Sequence, residues 1–205
     1  MAISAKSSKQ GSKPHREMHS EMAFGKAKKT RKPLEYLELL DYAVKSLGAK
    51  MKSERDLRRR LGERASPDEG GRADVEKVIA KLKELGYLSD ARFAADFARL
   101  RQENEKFGAR RVQQGLMQKG IASSLVNEAV TKQYEDVDEV ALARKYVERK
   151  RLKQPSGDKE QRQKETAKIM RRLVAAGFSS RAVWAVLRDW GGSDIEEIDV
   201  EEGSE

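Results

Sequence analysis

The sequence lacks several residue types on which common protein chemistries depend. Among its 205 residues there is no cysteine, only four are proline, and 6% are aromatic. Without cysteine the chain forms no disulfide, thiolate zinc site or cysteine nucleophile, and it fits a reducing cytoplasm. No run of about 18 apolar residues is present, so no membrane span is expected. No apolar core follows Met1, so no secretory signal is expected either.

The groups that enzymes and metal sites use are also scarce. The two histidines, His15 and His19, stand four residues apart, but no cysteine or carboxylate cluster accompanies them. No glycine-rich phosphate loop is present. Asp90 and Asp96, six residues apart on a predicted helix, do not bring their carboxylates together. We therefore expect no catalytic residue, no metal and no cofactor, and a protein that is not an enzyme.

What the chain has instead is charge, unevenly spread. Charged residues make up 38% of the sequence and the formal net charge is +9. Residues 1–33 contribute +7, residues 189–205 contribute −8, and the segment between contributes +10. A basic body attracts polyanions, because bound lysine and arginine release counterions from phosphates. In the alternative, the basic helices serve solubility alone. The acidic end either shields the basic body or only solubilises the chain.

Apolar residues recur at helical spacing in three successive groups. In the first group, Pro33 is expected at the first position of a helix. Ser53 is expected to start a second helix, with Asp56 in a capping-box position. A loop over 65–72 then precedes a third helix near 73–85. The three stripes are Tyr36, Leu37, Leu40, Ala43, Val44 and Leu47; Leu57 and Leu61; and Val75, Val78, Ile79, Leu82 and Leu85.

An internal repeat links the second and third groups. Seven positions have chemically matched partners 57 residues later, without a gap. The shared pattern is a helix, a glycine turn, a serine cap and a second helix, which is typical of stacked helical units. The pairs are Val112 with Ile169, Leu116 with Leu173, Gly120 with Gly177, Ile121 with Phe178, Ser123 with Ser180, Val126 with Val183, and Val130 with Leu187.

No strand-like alternation is visible, so the predicted fold class is all-α. We expect three tandem three-helix repeats in an elongated, curved body with a disordered tail at each end. The predicted domains are a basic disordered tail over 1–33, repeat 1 over 34–88, repeat 2 over 89–136, repeat 3 over 137–190, and an acidic disordered tail over 191–205.

One stretch closes the first repeat and opens the second. Gly86 is predicted just after a helix end, and Ser89 or Asp90 is predicted to cap the next helix. Tyr87 is interpreted as a packing residue at this turn, and Phe93 as a core residue rather than a platform for stacking bases. The structural motif residues of this region are Gly86, Tyr87, Leu88, Asp90, Phe93, Gly108 and Gly120.

Basic residues crowd the second repeat and the start of the third, and we predict that they bind a partner or nucleic acid. The planar fork of arginine suits carboxylates and phosphates. In the alternative, Arg92 and Arg111 pair with nearby acids such as Asp90 or Glu84 and hold the repeats together. The predicted basic surface comprises Arg92, Arg99, Arg101, Lys106, Arg110, Arg111 and Lys119, and then Lys145, Arg149, Lys150, Arg151 and Lys153.

A helix-turn-helix interpretation is open for residues 112–130 and 169–187. Polar side chains that read bases would then be needed at the start of each second helix. The candidates are Ser123, Ser124 and Asn127 in one, and Ser179, Ser180 and Arg181 in the other. Under this interpretation the chain is a basic helical DNA-binding module that affects DNA transactions indirectly.

Three segments of the second predicted repeat, 86–93, 108–112 and 116–121, resemble the RecX family of regulators of the bacterial RecA recombinase. The family pattern is roughly a Gly-Tyr-Leu-Asp-Asp-x-Arg-Phe turn, a Gly-x-x-Arg-Ile helix start and a Leu-x-x-Lys-Gly-Ile turn. Here 86–93 is Gly-Tyr-Leu-Ser-Asp-Ala-Arg-Phe, 108–112 is Gly-Ala-Arg-Arg-Val, and 116–121 is Leu-Met-Gln-Lys-Gly-Ile. Ser89 and Val112 depart from the pattern but keep its local chemistry, since serine caps a helix as aspartate does.

The resemblance implies a non-enzymatic modulator that lies in the groove of the RecA–DNA filament. There it would span neighbouring protomers and suppress ATP hydrolysis, strand exchange and co-protease activity, with effects on DNA repair and the SOS response. It further implies a bacterial cytoplasmic protein, which we expect to be a monomer. Its partners would be the RecA filament and single- or double-stranded DNA, bound weakly or within the filament. The basic and acidic tails are less expected in this family.

Overall fold

The computed structural model of the chain describes residues 32–190, so the acidic tail, most of the basic tail and both histidines lie outside the described residues. The described range contains nine helices and no strand, which confirms the all-α prediction. A single isolated bridge joins Leu34 to Ala65. The helices are α1 Tyr36–Ala49, α2 Glu54–Gly62, α3 Glu69–Glu84, α4 Asp90–Glu105, α5 Ala109–Gln118, α6 Ser123–Tyr134, α7 Glu139–Arg149, α8 Lys159–Ala175 and α9 Ser180–Asp189.

The helices surround three apolar cores, one for each successive set of three. Each core buries apolar residues at helical spacing, which is the main source of helix stability in a chain this polar. Of the predicted stripes, Leu37, Val44 and Leu85 are exposed, while Leu39 of α1 is buried instead. The first core comprises Leu39, Ala43, Leu57, Leu61, Val75, Val78, Ile79, Leu82 and Leu88. The second comprises Phe93, Ala94, Ala98, Val112, Leu116, Ile121 and Val126. The third comprises Leu142, Ala143, Tyr146, Val147, Ile169, Leu173, Ala176, Phe178, Ala182, Val183, Val186 and Leu187.

Two aromatic residues connect the second core to the third. Phe107 and Tyr134 pack against both cores. The Tyr134 hydroxyl donates to the Phe107 carbonyl at 2.7 Å, and burial raises the pKa of that hydroxyl. The Phe107 ring lies 6.2 Å from the ring of Tyr146 in α7. The segment between α4 and α5 is thus held from both sides, while the boundaries of the repeats remain predictions.

Serine side chains cap the N-termini of α2 and α4. Ser53 is the N-cap of α2 and accepts from the Asp56 N–H. Ser89 is the N-cap of α4 and accepts from the Arg92 N–H, so Ser89 and not Asp90 caps this helix. Each cap satisfies one of the backbone donors that a helix start leaves without an intrahelical partner.

The first helix starts later than predicted. It begins at Tyr36, so Pro33 precedes the helix rather than occupying its first position. The backbone N–H of Leu34 instead donates to the carbonyl of Arg64 at 2.8 Å. This bond ties the segment before α1 to the residues that follow α2.

The third helix starts earlier than predicted. It begins at Glu69 because the Asp68 side chain caps it, accepting from the Gly71 N–H at 2.7 Å. Gly71 is buried, and a Cβ atom there would overlap the backbone of Ser66. The glycine pair interpreted as loop therefore forms part of the first turn of α3.

The glycine turns of the 57-residue repeat have the same geometry. Gly120 has φ +76° and Gly177 has φ +91°, a region that residues with a Cβ atom rarely adopt. In the first turn the Gly120 N–H donates to the Met117 carbonyl, and the Ile121 N–H donates to the Leu116 carbonyl. In the second turn the Gly177 N–H donates to the Val174 carbonyl, and the Phe178 N–H donates to the Leu173 carbonyl. The predicted serine caps differ: Ala122 is the N-cap of α6, and Ser179, not Ser180, caps α9.

Candidate functional site

The start of α2 contacts both α4 and the end of α5, and this junction engages Lys119 of the predicted basic surface. The Ser53 hydroxyl donates to the Lys119 carbonyl at 2.9 Å, and Ser53 is fully buried. The Lys119 ammonium lies 2.8 Å from the Asp56 carboxylate. Asp56 therefore serves this ion pair instead of the predicted capping box. Lys119 of the predicted basic surface is consequently a residue that joins helices.

Asp90 acts across the same junction. Its carboxylate accepts from the backbone N–H of Glu54 at 2.8 Å, in the first turn of α2. Burial raises the pKa of Asp90, although this hydrogen bond opposes the effect. The Glu54 carboxylate is itself held by Lys83 at 2.6 Å, and that bond lowers the pKa of Glu54. The aspartate of the turn motif thus supplies an acceptor to a helix of the preceding set.

The start of α5 contacts the end of α8 in the corresponding way. The Gly108 N–H donates to the Ala176 carbonyl at 2.9 Å. A Cβ atom at Gly108 would overlap the carbonyl of Gly177, so only glycine fits this approach. Lys119 and Ala176, the acceptors of the two junctions, are 57 residues apart in the sequence. The 57-residue repeat therefore includes the contacts between sets of helices. In one contact the start of α2 meets the end of α5, and in the other the start of α5 meets the end of α8.

Besides Lys119, three further residues of the predicted basic surface are paired with carboxylates. Arg99 lies 3.2 Å from both Asp96 and Glu103 within α4. Arg149 at the end of α7 and its C-cap residue Lys150 share Glu105 at 3.4 and 3.8 Å. The second pair crosses from α7 to the end of α4, whereas the first stays within one helix. All these ion pairs are at least partly exposed, so each contributes little to stability.

Three arginines bind within the chain without a carboxylate. The Arg92 guanidinium donates to the Gly86 carbonyl. Arg101 lies over the Phe97 ring at 5.0 Å, and Arg111 over Phe107 at 5.9 Å. The alternative that Arg92 and Arg111 pair with Asp90 or Glu84 is therefore wrong. Since a cation over a ring keeps its charge available, Arg101 and Arg111 can still bind an anion.

The rest of the predicted basic surface keeps its charge uncompensated. Within residues 32–190, none of these cations has an ion pair. All but Lys106 are exposed. Arg151 and Lys106 adopt positive φ angles of 49° and 56° at helix ends. Together with Arg101 and Arg111, these residues can bind an anionic surface. They are Lys106, Arg110, Lys145, Arg151 and Lys153.

Two of the six helix-turn-helix candidates, Ser179 and Asn127, are engaged within the chain. The Ser179 N–H and hydroxyl both donate to the Glu139 carboxylate, and the same hydroxyl accepts from the Ala182 N–H. The Asn127 side chain accepts from Gln113 at 3.4 Å. Ser123, Ser124, Ser180 and Arg181 are exposed. A reading surface at the start of α6 or α9 thus retains only part of its predicted residues.

A groove that the sequence did not reveal lies between the end of α1 and the start of α4. It has a volume of about 270 Å³. Tyr87 forms one wall with 62% of its surface exposed, so the prediction that Tyr87 is a packing residue is wrong, whereas Phe93 is 7% exposed, as predicted for a core residue. The lining residues are Leu47, Met51, Lys52, Gly86, Tyr87, Ser89, Arg92, Phe93 and Asp96.

The described part of the chain has neither a metal-binding cluster nor a membrane-spanning helix. No group of three histidine or acidic side chains there could hold a metal ion. Among the helices between residues 32 and 190, none is long and apolar enough to cross a bilayer.

Comparisons with known proteins give one consistent result. Residues 89–130 match the family model described as RecX, second three-helix domain. The regulatory protein RecX of Escherichia coli strain SE11 is 39% identical over 127 residues, which cover 59% of this chain and 74% of that protein. A RecX crystal structure from Lactobacillus salivarius has a TM-score of 0.55 at 18% identity, covering 76% of this chain and 96% of its own. A second crystal structure, of regulatory protein RecX, has a TM-score of 0.52 at 25% identity, covering 75% and 73%.

Proposed function

Because the chain belongs to the RecX family of regulatory proteins, we propose that it is a non-enzymatic regulator of the RecA recombinase. It lies in the groove of the RecA–DNA filament and spans neighbouring protomers. There it suppresses ATP hydrolysis, strand exchange and co-protease activity. It acts as a monomer in the bacterial cytoplasm.

The observation that carries this proposal is the distribution of uncompensated cations. They occur on α5 and in the α4–α5 segment, and again on α7 and just after it. Several weak contacts made by one molecule to a repeating partner add up to avidity without a deep pocket. Arg110 and Lys145 represent the two groups, since both are exposed and neither has an ion pair within residues 32–190.

The test is the ATPase activity of RecA on single-stranded DNA, titrated with this protein. We expect hydrolysis to fall at protein concentrations too low to coat the same DNA without RecA. The double variant Arg110→Ala with Lys145→Ala should need a several-fold higher concentration. Arg99→Ala is the matched control, because Arg99 is already paired with Asp96 and Glu103. Unchanged hydrolysis with the wild-type protein would contradict the proposal.

A second candidate function is a basic helical DNA-binding module. It is favoured by the helix-turn-helix arrangement of α5 and α6, with Arg110 exposed in the first turn of α5. Such a module binds naked DNA, and its affinity falls steeply with salt. Loss of RecA ATPase activity only where the DNA is already coated, with a salt slope that Arg110→Ala lowers by about one, would favour this candidate.

A further inference from the structure

The groove between α1 and α4 is lined in part by apolar side chains that remain exposed to solvent. Met51 is 42% exposed and Tyr87 62% exposed, and both line it. Leu47, three residues after the exposed Val44 on the same side of α1, lines it too. Leu85, 52% exposed, precedes the turn that carries Tyr87. Several exposed apolar side chains are thus grouped around one groove, as at surfaces that bind a partner.

Two cations border these apolar walls. The Lys52 ammonium donates to the carbonyls of Ser46 and Lys50, and Arg92 donates to the carbonyl of Gly86. Neither has a carboxylate partner within residues 32–190. Both cations are therefore positioned by backbone oxygens, and neither is neutralised by an ion pair within that range.

The electrostatic surroundings of the groove favour an anionic group. Burial lowers the pKa of Lys52, and the positive charges of Arg60 and Lys50 lower it further, with only Asp56 opposing. Asp56 is itself held by Lys119 at 2.8 Å. Asp96, which also lines the groove, is paired with Arg99 at 3.2 Å. A carboxylate placed between Lys52 and Arg92 would thus relieve an excess of positive charge.

The same features decide between kinds of occupant. The chain's own residues 1–33 carry nine basic residues against two acidic ones, so the two cations repel them. A nucleic-acid strand stacks successive bases on several rings. This groove exposes one ring, Tyr87, beside the thioether and aliphatic chains of Met51 and Leu47. Such walls suit an aliphatic or aromatic side chain of a protein.

We propose that this groove binds a protein segment that seats one apolar side chain between Met51 and Tyr87 and places a neighbouring carboxylate on Lys52 and Arg92. The inference rests on the proposed function, because it takes the partner to be RecA in its filament. It goes beyond that function by assigning the contact to the groove beside α1 and α4, whose lining includes none of the free cations of α5 and α7.

The experiment measures the binding of the full-length, fluorescently labelled chain to RecA filaments formed on single-stranded DNA with a non-hydrolysed ATP analogue. Naked DNA is titrated in parallel. Tyr87→Ser removes the apolar wall and Lys52→Glu reverses the charge. Each should weaken filament binding about tenfold or more, as for central interface residues, and leave naked DNA binding within about twofold for Tyr87→Ser.

The controls match each change outside the groove. Val174→Ser alters an equally exposed apolar residue of α8, and Lys132→Glu reverses an exposed lysine of α6. Both should bind filaments within about twofold of wild type, and Tyr87→Phe should keep wild-type affinity, since the ring remains. Thermal unfolding of every variant should match wild type, because the altered side chains are exposed or half-buried.

Three outcomes would overturn the inference. If Tyr87→Ser and Lys52→Glu bind filaments as the controls do, the groove is not the contact, while the proposed function stands. If Tyr87→Ser loses naked DNA binding to the same extent, the groove is a nucleotide site. If the wild-type protein does not bind filaments at all, the proposed function fails and this inference fails with it.

Discussion

At the scale of single residues, Asp90 shows a carboxylate that serves a helix other than its own. It follows the N-cap Ser89 and accepts from the Glu54 N–H at 2.8 Å. The local sequence offered two caps for α4, and only one was needed. The second was free to satisfy an N–H at the start of α2, which otherwise lacks an intrahelical acceptor.

We predict that Asp90→Ala lowers the free energy of unfolding by about 1–2 kcal/mol, since it leaves a half-buried N–H without its acceptor. Asp90→Asn keeps a carbonyl oxygen there and should stay within about 0.5 kcal/mol. Urea unfolding followed by circular dichroism measures both. Equal losses in the two variants would show that the charge, rather than the hydrogen bond, matters.

The pH dependence of this site has a definite sign. The pKa of Asp90 is raised in the folded state, so the folded chain holds this proton more tightly than the unfolded chain. Its contribution to stability is therefore complete below the unfolded pKa of about 3.9 and is lost as the pH rises through the folded pKa. Wild type should accordingly gain stability relative to Asp90→Asn as the pH falls through this window.

At the scale of helices, the approach of α5 to α8 depends on a missing side chain. We predict that Gly108→Ala lowers the free energy of unfolding by about 1–3 kcal/mol, because the new methyl group meets the backbone of Gly177 and Phe178. Gly62→Ala is the control, since no atom lies within 4 Å of a Cβ there. It should be neutral or stabilising by up to about 1 kcal/mol. Denaturant titration of both variants provides the measurement, and equal stabilities would contradict the overlap.

The helices themselves were predictable because the signals for a helix lie within its own stretch of sequence. An apolar stripe at 3.6-residue spacing, a serine before it and a glycine after it are all present within one helix length, as at Ser53 and Gly120. The start of α3 escaped prediction because Gly70 and Gly71 are typical of loops, whereas in the fold the Asp68 cap and the close approach of Gly71 to Ser66 place them in the first turn of α3.

The candidate site was less predictable because it depends on distant contacts. The Ser53–Lys119 hydrogen bond spans 66 residues and the Glu54–Asp90 bond spans 36. No local pattern separates Lys119, which is committed to such a contact, from Arg110, which is not. The exposure of Tyr87 likewise depends on how the turn after α3 lies beside α1 and α4, which no local sequence pattern specifies.

At the scale of the whole molecule, the sign and spread of charge matter more than any pair. Neutralising the seven acids of residues 194–205 to amides would raise the formal net charge from +9 to +16. We predict a several-fold higher affinity for single-stranded DNA at low salt, and a difference that shrinks once the Debye length falls to about 10 Å near 0.1 M. Fluorescence anisotropy across a salt series measures this effect.

The control for that variant preserves charge. Exchanging Asp194 and Asp199 for glutamate changes the side chains without changing the net charge, and it should leave DNA affinity at its wild-type value. An equal response in the two variants, or none in the neutralised one, would show that the acidic segment does not act through long-range electrostatics.

The contacts at the two ends of α5 also make its length the spacing between α2 and α8. Its start is fixed to the end of α8 through Gly108, and its end is fixed to the start of α2 through Lys119. The separation of these contacts is therefore the length of a ten-residue helix, about 15 Å at 1.5 Å per residue. The number of residues in α5 therefore sets the spacing between the first and third sets of helices. For any partner with a regular repeat, that spacing decides whether both sets can be in contact at once.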